Sequence, residues 1–387
     1  METNSKESYP YNFIVHYALI YSLVACYSTF VPLYFSYQGF SKSAIGVLLA
    51  VGPAIAMVMQ PVWGMAGDRA KSKNSILKIM LAGSGLVILL YVIPANFYIM
   101  IAFVAVFTFF QGSINAMSDV ISLEYLESTR WEYGPVRLAG SLGYAVTAVI
   151  AGAVARWNIA NVFFMYSAIT LIAFLRVNKL PTIKGHRIAK SSVHIWELKS
   201  NRKLMILLCF NLLIFTTLGY NTNFFPIFYK QMGADTALIG ICMFIQAVSE
   251  VPFLLFANRV LKKLGIEATL ISAAFLMGVR WLLLHFVQSI YIVPVTCILN
   301  GFSYVVVTYC MVTYINQVVP KELRASGQIL NGLVTFVGTS IIGSLLGGVL
   351  SDLFSIRQIY FYTFAVNMIA VVVFGALFLR ENSENRR

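Results

Sequence analysis

Long apolar runs separated by short polar stretches dominate the chain. Each run has roughly the 20 residues that an α-helix needs to cross about 30 Å of hydrocarbon. A polar stretch over residues 178–203 is the longest connection, and six apolar runs lie on each side of it. The pattern therefore predicts an all-α membrane protein with twelve transmembrane helices. The predicted spans are Tyr11–Tyr34, Ala44–Ala66, Ile76–Pro94, Tyr98–Leu123, Val136–Ala155, Val162–Val177, Leu204–Tyr229, Ala237–Asn258, Ala268–Phe286, Tyr291–Val318, Gln328–Leu353 and Ile359–Leu379.

Composition excludes a soluble globular domain. Of the 387 residues, 59% are hydrophobic and 11% are charged, and the mean hydropathy is +0.78. The first apolar run is too long for the hydrophobic region of a signal peptide, so we expect it to be retained as a span. The five cysteines are scattered singly through apolar runs without a CxxC spacing. They are predicted to be core thiols, and no metal site is expected.

The distribution of positive charge predicts the orientation of the chain. When residues at helix ends are counted with their nearest loop, 23 of the 28 Lys and Arg residues lie at the termini or in the even-numbered connections between spans. Cytoplasmic loops carry such an excess of basic residues, which predicts a multi-pass protein of the cell membrane with both termini and the central loop in the cytoplasm. The basic residues do not form a stripe with interleaved aromatic residues, so no nucleic-acid partner is expected.

An internal repeat predicts two related halves. The segment that starts at Thr29 aligns with the segment that starts at Asn223, at a constant offset of 194 residues. Two parallel repeats of six helices are typical of one architecture of secondary transporters. We therefore predict two pseudo-symmetric six-helix bundles, residues 1–177 and 204–387, joined by a cytoplasmic loop over residues 178–203. The matched identities are Phe30 with Phe224, Pro32 with Pro226, Gly39 with Gly233, Ile45 with Ile239 and Gly46 with Gly240.

The short connection after the second span contains a recognisable motif. It reads GMAGDRAKSK from Gly64 to Lys73 and resembles the G-x-x-x-D-R-x-G-R-K loop of the major facilitator superfamily, with Lys71 in the place of a glycine. The resemblance implies a conformational latch formed by Gly64, Asp68 and Arg69. Physically, the glycines would let two helices approach closely, and Asp68 could cap a helix. The alternative is a basic turn that only sets topology.

Among the charged residues inside predicted spans, four stand out: Asp119, Arg137, Glu250 and Arg280. Inserting each costs on the order of 3 kcal/mol, so such charges persist mainly where they are paired or functional. Counting from the turns places Asp119 level with Arg137, and Glu250 level with Arg280, which predicts one facing pair in each half. The pairs could be purely structural. Alternatively, the arginines bind polar or anionic groups of a solute, while Glu250 or Asp119 accepts a coupling proton.

The sequence around these charges resembles a particular branch of the superfamily. The segments Tyr133–Gly143, Ser249–Pro252 and Val279–Trp281 are similar to those of lactose permease-like and phenylpropionate permease-like carriers. The resemblance implies that Asp119 and Arg137 hold the solute, and that Glu250 and Arg280 join binding to coupling. Asp119 stands where that branch has a glutamate. Asn300 and Ser303 stand where it has a histidine and a glutamate, so neither its proton relay nor lactose as the solute is implied. Asn300 is predicted to bind solute.

Other side chains have two interpretations. Trp281 is predicted to stack on a ring of the solute. Gln246 could line a cavity or bridge helices through hydrogen bonds. His16 lies near the end of a span, which predicts an interfacial position. The eleventh span is rich in glycine, which predicts a helix that packs closely on its neighbours.

No motif of an enzyme or of an ATP-driven pump is present: HExxH, GxSxG and GxxxxGK[ST] are all missing from the sequence. The expected function is therefore secondary transport by alternating access. The expectation is a monomeric symporter in the lipid bilayer that needs no cofactor and carries a proton together with a small polar solute. A sugar, a nucleoside or an aromatic carboxylate would fit. The alternative is a proton-coupled efflux antiporter of drugs or metabolites.

Overall fold

The helices predicted from the apolar runs are present in the structure, a computed structural model that describes residues 9–185 and 195–384. Twelve helices within these ranges are long and apolar enough to cross a membrane, which confirms the predicted all-α membrane fold. Parts of the polar N-terminus and of the central loop lie outside the described residues. The helices are α1 (Tyr11–Tyr37), α2 (Lys42–Arg69), α3 (Lys73–Val92), α4 (Phe97–Glu127), α5 (Tyr133–Trp157), α6 (Asn161–Lys179), α7 (Arg202–Gln231), α8 (Thr236–Leu264), α9 (Ile266–Phe286), α10 (Val293–Val318), α11 (Ser326–Leu353) and α12 (Ile356–Glu384).

The sequence repeat is also a repeat of backbone conformation. Helices α1 and α7 both end at a glycine with positive φ, +80° at Gly39 and +97° at Gly233. In α1 the N–H of Gly39 donates to the carbonyl of Ser36 at 3.1 Å, and the next N–H donates to the carbonyl of Phe35 at 3.3 Å. The equivalent bonds of α7, shifted by 194 residues, measure 2.9 and 3.2 Å. Both helices therefore end in the same Schellman arrangement, for which glycine is the preferred residue.

The helices form two compact units. One contains the described residues of Met1–Tyr34 and Val51–Ala189, and the other those of Phe35–Ala50 and Lys190–Arg387. The start of α2 thus packs with the second unit. There Asp352 of α11 accepts hydrogen bonds from the backbone N–H groups of Lys42 and Ser43, at 3.0 and 2.8 Å. A carboxylate from another helix therefore satisfies two N–H groups that the first turn of α2 leaves without a helical partner.

The fourth helix of each half is interrupted midway. In α4 the regular helix stops at Gln111 and resumes at Ile114, and in α10 it stops at Gly301 and resumes at Tyr304. Close contacts accompany both breaks. A Cβ added at Gly112 would lie 2.7 Å from the Cβ of Ala56, and one added at Gly301 would lie 2.2 Å from the carbonyl carbon of Ser249. Glycine therefore allows α4 to approach α2, and α10 to approach α8, more closely than any other residue would.

Helix α11 packs closely on α7, as its glycine content predicted. A Cβ added at Gly343 would lie 2.9 Å from the carbonyl oxygen of Thr216, and one added at Gly219 would lie only 2.0 Å from that of Thr339. Thr339 lies in a π-helical turn of α11, Val337–Ile342, and Gly343 follows directly after that turn. The two helices therefore meet through their backbones, with no room for a side chain at Gly219.

Candidate functional site

Asp119 lies at the centre of a tyrosine cluster in the first unit. Its Oδ1 accepts a hydrogen bond from the hydroxyl of Tyr17 at 2.6 Å and from that of Tyr133 at 2.7 Å. The two hydroxyls are 3.3 Å apart. Tyr17 comes from α1, Asp119 from the second part of α4, and Tyr133 from the first turn of α5. Helices α1 and α5 therefore each direct a hydroxyl at one half-buried carboxylate of α4.

Arg137 takes part in this cluster without pairing with Asp119. It lies one turn after Tyr133 on α5, and its guanidinium carbon sits 4.3 Å from the ring centroid of Tyr21. The rings of Tyr17 and Tyr21 are stacked, with centroids 6.2 Å apart. The expected direct ion pair between Asp119 and Arg137 is therefore not formed, because stacked tyrosines of α1 contact the two charges instead.

His16 lies beside the same cluster, in the second turn of α1, and its interfacial position stays a prediction. Its side chain is buried, and its Nε2 is 3.0 Å from the hydroxyl oxygen of Ser118. Its Nδ1 has no hydrogen-bond partner among the described residues. The cluster thus continues along α1 and α4 into a second polar contact, one residue from Tyr17 and one from Asp119.

Arg280 is the centre of the polar cluster in the second unit. It lies on α9 and is fully buried. Its Nη1 donates to Oδ1 of Asn300 at 3.2 Å, and its Nη2 donates to Sγ of Cys297 at 3.7 Å. Gln246 of α8 donates to the same sulfur at 3.6 Å and accepts from Nδ2 of Asn300 at 3.3 Å. The four side chains form a closed ring of hydrogen bonds, which we call the Arg280 cluster.

Glu250 is not a partner of Arg280 in this arrangement. Arg280 donates to Asn300 and Cys297, and no ion pair of Arg280 is found with a described residue. The direct pair expected from equal depth is therefore not formed, because Arg280 directs its guanidinium towards α10. Its neighbour Trp281 is fully buried as well, stacks on Tyr360 and donates to the hydroxyl of Thr217 at 3.3 Å. Stacking of Trp281 on a solute stays a prediction.

The loop between α2 and α3 has a different geometry from the one expected. Asp68 lies in the last turn of α2 and does not cap α3; its Oδ1 is 3.7 Å from Nζ of Lys73. The buried Lys73 also forms an ion pair with Glu124 of α4. Of the two glycines predicted to allow a close approach, Gly67 does so, since an added Cβ would lie 2.8 Å from Cε of Met117, whereas a Cβ at Gly64 would meet nothing within 4 Å. Gly64 and Arg69 are exposed, and the latch role stays a prediction.

Sequence reasoning did not identify several members of these clusters. Cys297 was correctly predicted to be a buried thiol, but its sulfur also accepts two hydrogen bonds. Tyr17 and Tyr21 are four residues apart and so share one face of α1. That spacing is the one local signal in the sequence that could have indicated them. Tyr133 begins a segment that resembles the permeases, but nothing in the sequence indicates that its hydroxyl donates to Asp119.

These features define a class of protein. Twelve membrane-spanning helices, a repeated half and buried charged side chains held by neutral polar groups are typical of a secondary transporter. A family model described as the MFS_1 like family matches residues 11–362. The chain belongs to this family of the major facilitator superfamily, and it is a multi-pass membrane transporter and not an enzyme.

Several known proteins are similar along nearly the whole chain. A transporter named YwbF of Bacillus subtilis (strain 168) is 27% identical, over 90% of this chain and 88% of that protein. The maltose permease of Geobacillus stearothermophilus is 25% identical, over 89% and 88%. The crystal structure of the nucleoside transporter NupG superposes with a TM-score of 0.85 at 16% identity, covering 95% of this chain and 98% of that one. The structural likeness supports the fold.

Proposed function

We propose that the protein is a proton-coupled symporter of a small polar organic solute, either a sugar, a nucleoside or an aromatic carboxylate. One observation carries the proposal: the fully buried Arg280 is held by neutral groups and not by a carboxylate. An inserted charge without an internal ion pair is expensive, and transporters keep such charges for solutes and protons. The relative named as a maltose permease supports a sugar among these solutes.

In this proposal the hydrogen-bond donors and the carboxylates have different tasks. Arg137, Arg280 and Asn300 offer hydrogen-bond donors to the solute, and Asp119 accepts hydrogen bonds from hydroxyl groups in the way it now accepts them from Tyr17 and Tyr133. Glu250 or Asp119 carries the proton, because a carboxylate is the group whose charge a proton can remove.

The proposal is tested in liposomes that contain the purified protein. Uptake of labelled maltose, uridine and 3-phenylpropionate is measured under an imposed pH gradient, alkaline inside. We expect saturable uptake of at least one of them, abolished by a protonophore. Uptake that requires an acidic interior would instead indicate the efflux antiporter. Uptake that ignores the gradient would exclude proton coupling.

Replacing Glu250 by glutamine tests which carboxylate couples the proton. We expect Glu250→Gln to lose accumulation driven by the pH gradient while keeping solute exchange at equal concentrations, because a neutral amide cannot bind and release a proton. Asp119→Asn is the matched variant in the first unit. If only Asp119→Asn loses accumulation, Glu250 is not the coupling residue.

We also propose that both termini lie in the cytoplasm, on the basis of the loop charges. A fluorescent protein fused to the C-terminus should be fluorescent, and alkaline phosphatase fused at the same point should be inactive. An active phosphatase fusion would reverse the proposed orientation.

A further inference from the structure

The Arg280 guanidinium has one edge that the protein barely uses. In arginine, Nε and Nη2 present two parallel N–H bonds along one edge of the planar guanidinium. These two bonds match the two oxygens of a carboxylate. Nε of Arg280 is buried and has no hydrogen-bond partner among the described residues. Nη2 has one contact, to Sγ of Cys297 at 3.7 Å. Sulfur is a weak acceptor, so this edge is held far less firmly than Nη1.

The other side of the guanidinium is fixed. Nη1 donates to Asn300 at 3.2 Å, and Asn300 is held in turn by Gln246 at 3.3 Å. Asn300 lies just before the interruption of α10, and Gly301 lets that backbone approach α8, which carries Gln246. The geometry therefore orients the plane of Arg280 and leaves its buried Nε and Nη2 edge without a strong acceptor.

We propose that the Nε and Nη2 edge of Arg280 is a binding site for a carboxylate of the solute, which displaces the thiol of Cys297. The Arg280 cluster carries a single positive charge, because Asn300, Gln246 and a thiol are neutral. A monoanion neutralises that charge, whereas a phosphate dianion would leave a buried charge uncompensated. The carboxylate would accept one charge-assisted hydrogen bond from Nη2, in place of its weak contact to sulfur. It would accept a second from Nε, which has no partner among the described residues. This inference rests on the proposed transport function and narrows its range of solutes to acids.

The first test needs no knowledge of the solute, since it supplies the carboxylate from the protein. Cys297→Asp places an acid where the sulfur contacts Nη2. Cys310→Asp is the matched control, because Cys310 is also fully buried on α10 and has no hydrogen bond to Arg280. We expect Cys297→Asp to keep the thermal unfolding midpoint of the native protein, and Cys310→Asp to lower it by roughly 5 °C or more. Equal losses in both variants would overturn the proposal.

The second test uses pairs of compounds that differ in one carboxylate. They are 3-phenylpropionate with 3-phenyl-1-propanol, galacturonate with galactose, and uridine 5′-carboxylate with uridine. We expect at least one acid, at about 10 mM, to raise the unfolding midpoint more than its neutral partner does. That effect should persist in Cys297→Ala and disappear in Cys297→Asp, whose own carboxylate occupies the edge.

The outcomes separate this inference from the proposed function. If no acid stabilises the native protein more than its neutral partner, the carboxylate site is wrong. Proton-driven uptake of a neutral sugar or nucleoside would then leave the proposed symport in place. Stabilisation by an acid without any uptake in liposomes would support the site and contradict the symport.

Discussion

Replacing Arg280 by glutamine is expected to lower the initial rate of solute uptake by about 100-fold, since a hydrogen bond to a charged donor contributes about 1.5–3 kcal/mol and each 1.4 kcal/mol is a factor of ten. Glutamine keeps one polar group for Asn300 but removes the charge. The fold should persist, because the substitution also removes the cost of burying a guanidinium. Uptake in liposomes, measured beside the thermal unfolding midpoint, separates lost transport from lost structure.

Arg259→Gln is the matched control for this variant. Arg259 is exposed, and its guanidinium carbon lies 5.5 Å from the ring centroid of Phe256. Removing an exposed charge of this kind should change uptake by less than about twofold, because solvent screens its interactions. If Arg280→Gln and Arg259→Gln transport equally well, the Arg280 cluster is structural and does not bind solute.

The second large effect is expected at Gly219. Gly219→Ala would place a methyl group 2.0 Å from the carbonyl oxygen of Thr339, and 2.6 Å from two further backbone atoms of that residue. Backbone atoms cannot rotate away as a side chain can, so α7 and α11 must separate. We expect a loss of about 1–3 kcal/mol in the free energy of unfolding, the usual cost of overpacking, measured as a lower unfolding midpoint in detergent.

Gly332→Ala provides the control on α11 itself. A Cβ added at Gly332 meets nothing within 4 Å, so alanine should stabilise this helix by roughly 0.5–1 kcal/mol through its higher helix propensity. The two glycines should thus respond with opposite signs. A Gly219→Ala protein as stable as the native one would show that α7 and α11 do not meet through their backbones.

The twelve helices could be predicted because their length is imposed by the bilayer and not by tertiary contacts. A run of about 20 apolar residues is sufficient evidence for a span. The turn at Gly39 and its counterpart at Gly233 could be predicted as related because a positive φ restricts the residue type. These features depend on residues that are close together along the chain, so a single sequence is enough to predict them.

The partners of the inserted charges could not be predicted, for a geometrical reason. Counting residues gives the depth of Glu250 and Arg280, but it does not give the direction in which each side chain points around its helix axis. Arg280 points towards α10, where Asn300 and Cys297 receive its hydrogen bonds. The break in α10 begins directly after Asn300 and Gly301, and it is accompanied by the close contact of Gly301 with Ser249. Such a contact is a property of the packed fold.

The tyrosine cluster around Asp119 illustrates the same limit. The chain has 21 tyrosines, and their spacing does not tell which of them direct a hydroxyl at a carboxylate. The latch motif is an intermediate case, because its position at the end of α2 was predicted correctly. Its sequence does not tell which of its two glycines allows the close approach, and in the structure that glycine is Gly67.

A Cβ added at Gly39 or at Gly233 would touch no other atom within 4 Å. Neither position is therefore restricted by its neighbours, and only the left-handed turn of the chain requires the glycine. Residues at packed positions can change together when a gene duplicates and its two copies diverge, since a new pair of side chains can fill the same space. A backbone turn offers no such exchange, so the repeat has glycine at both of these positions although a side chain at either would contact nothing.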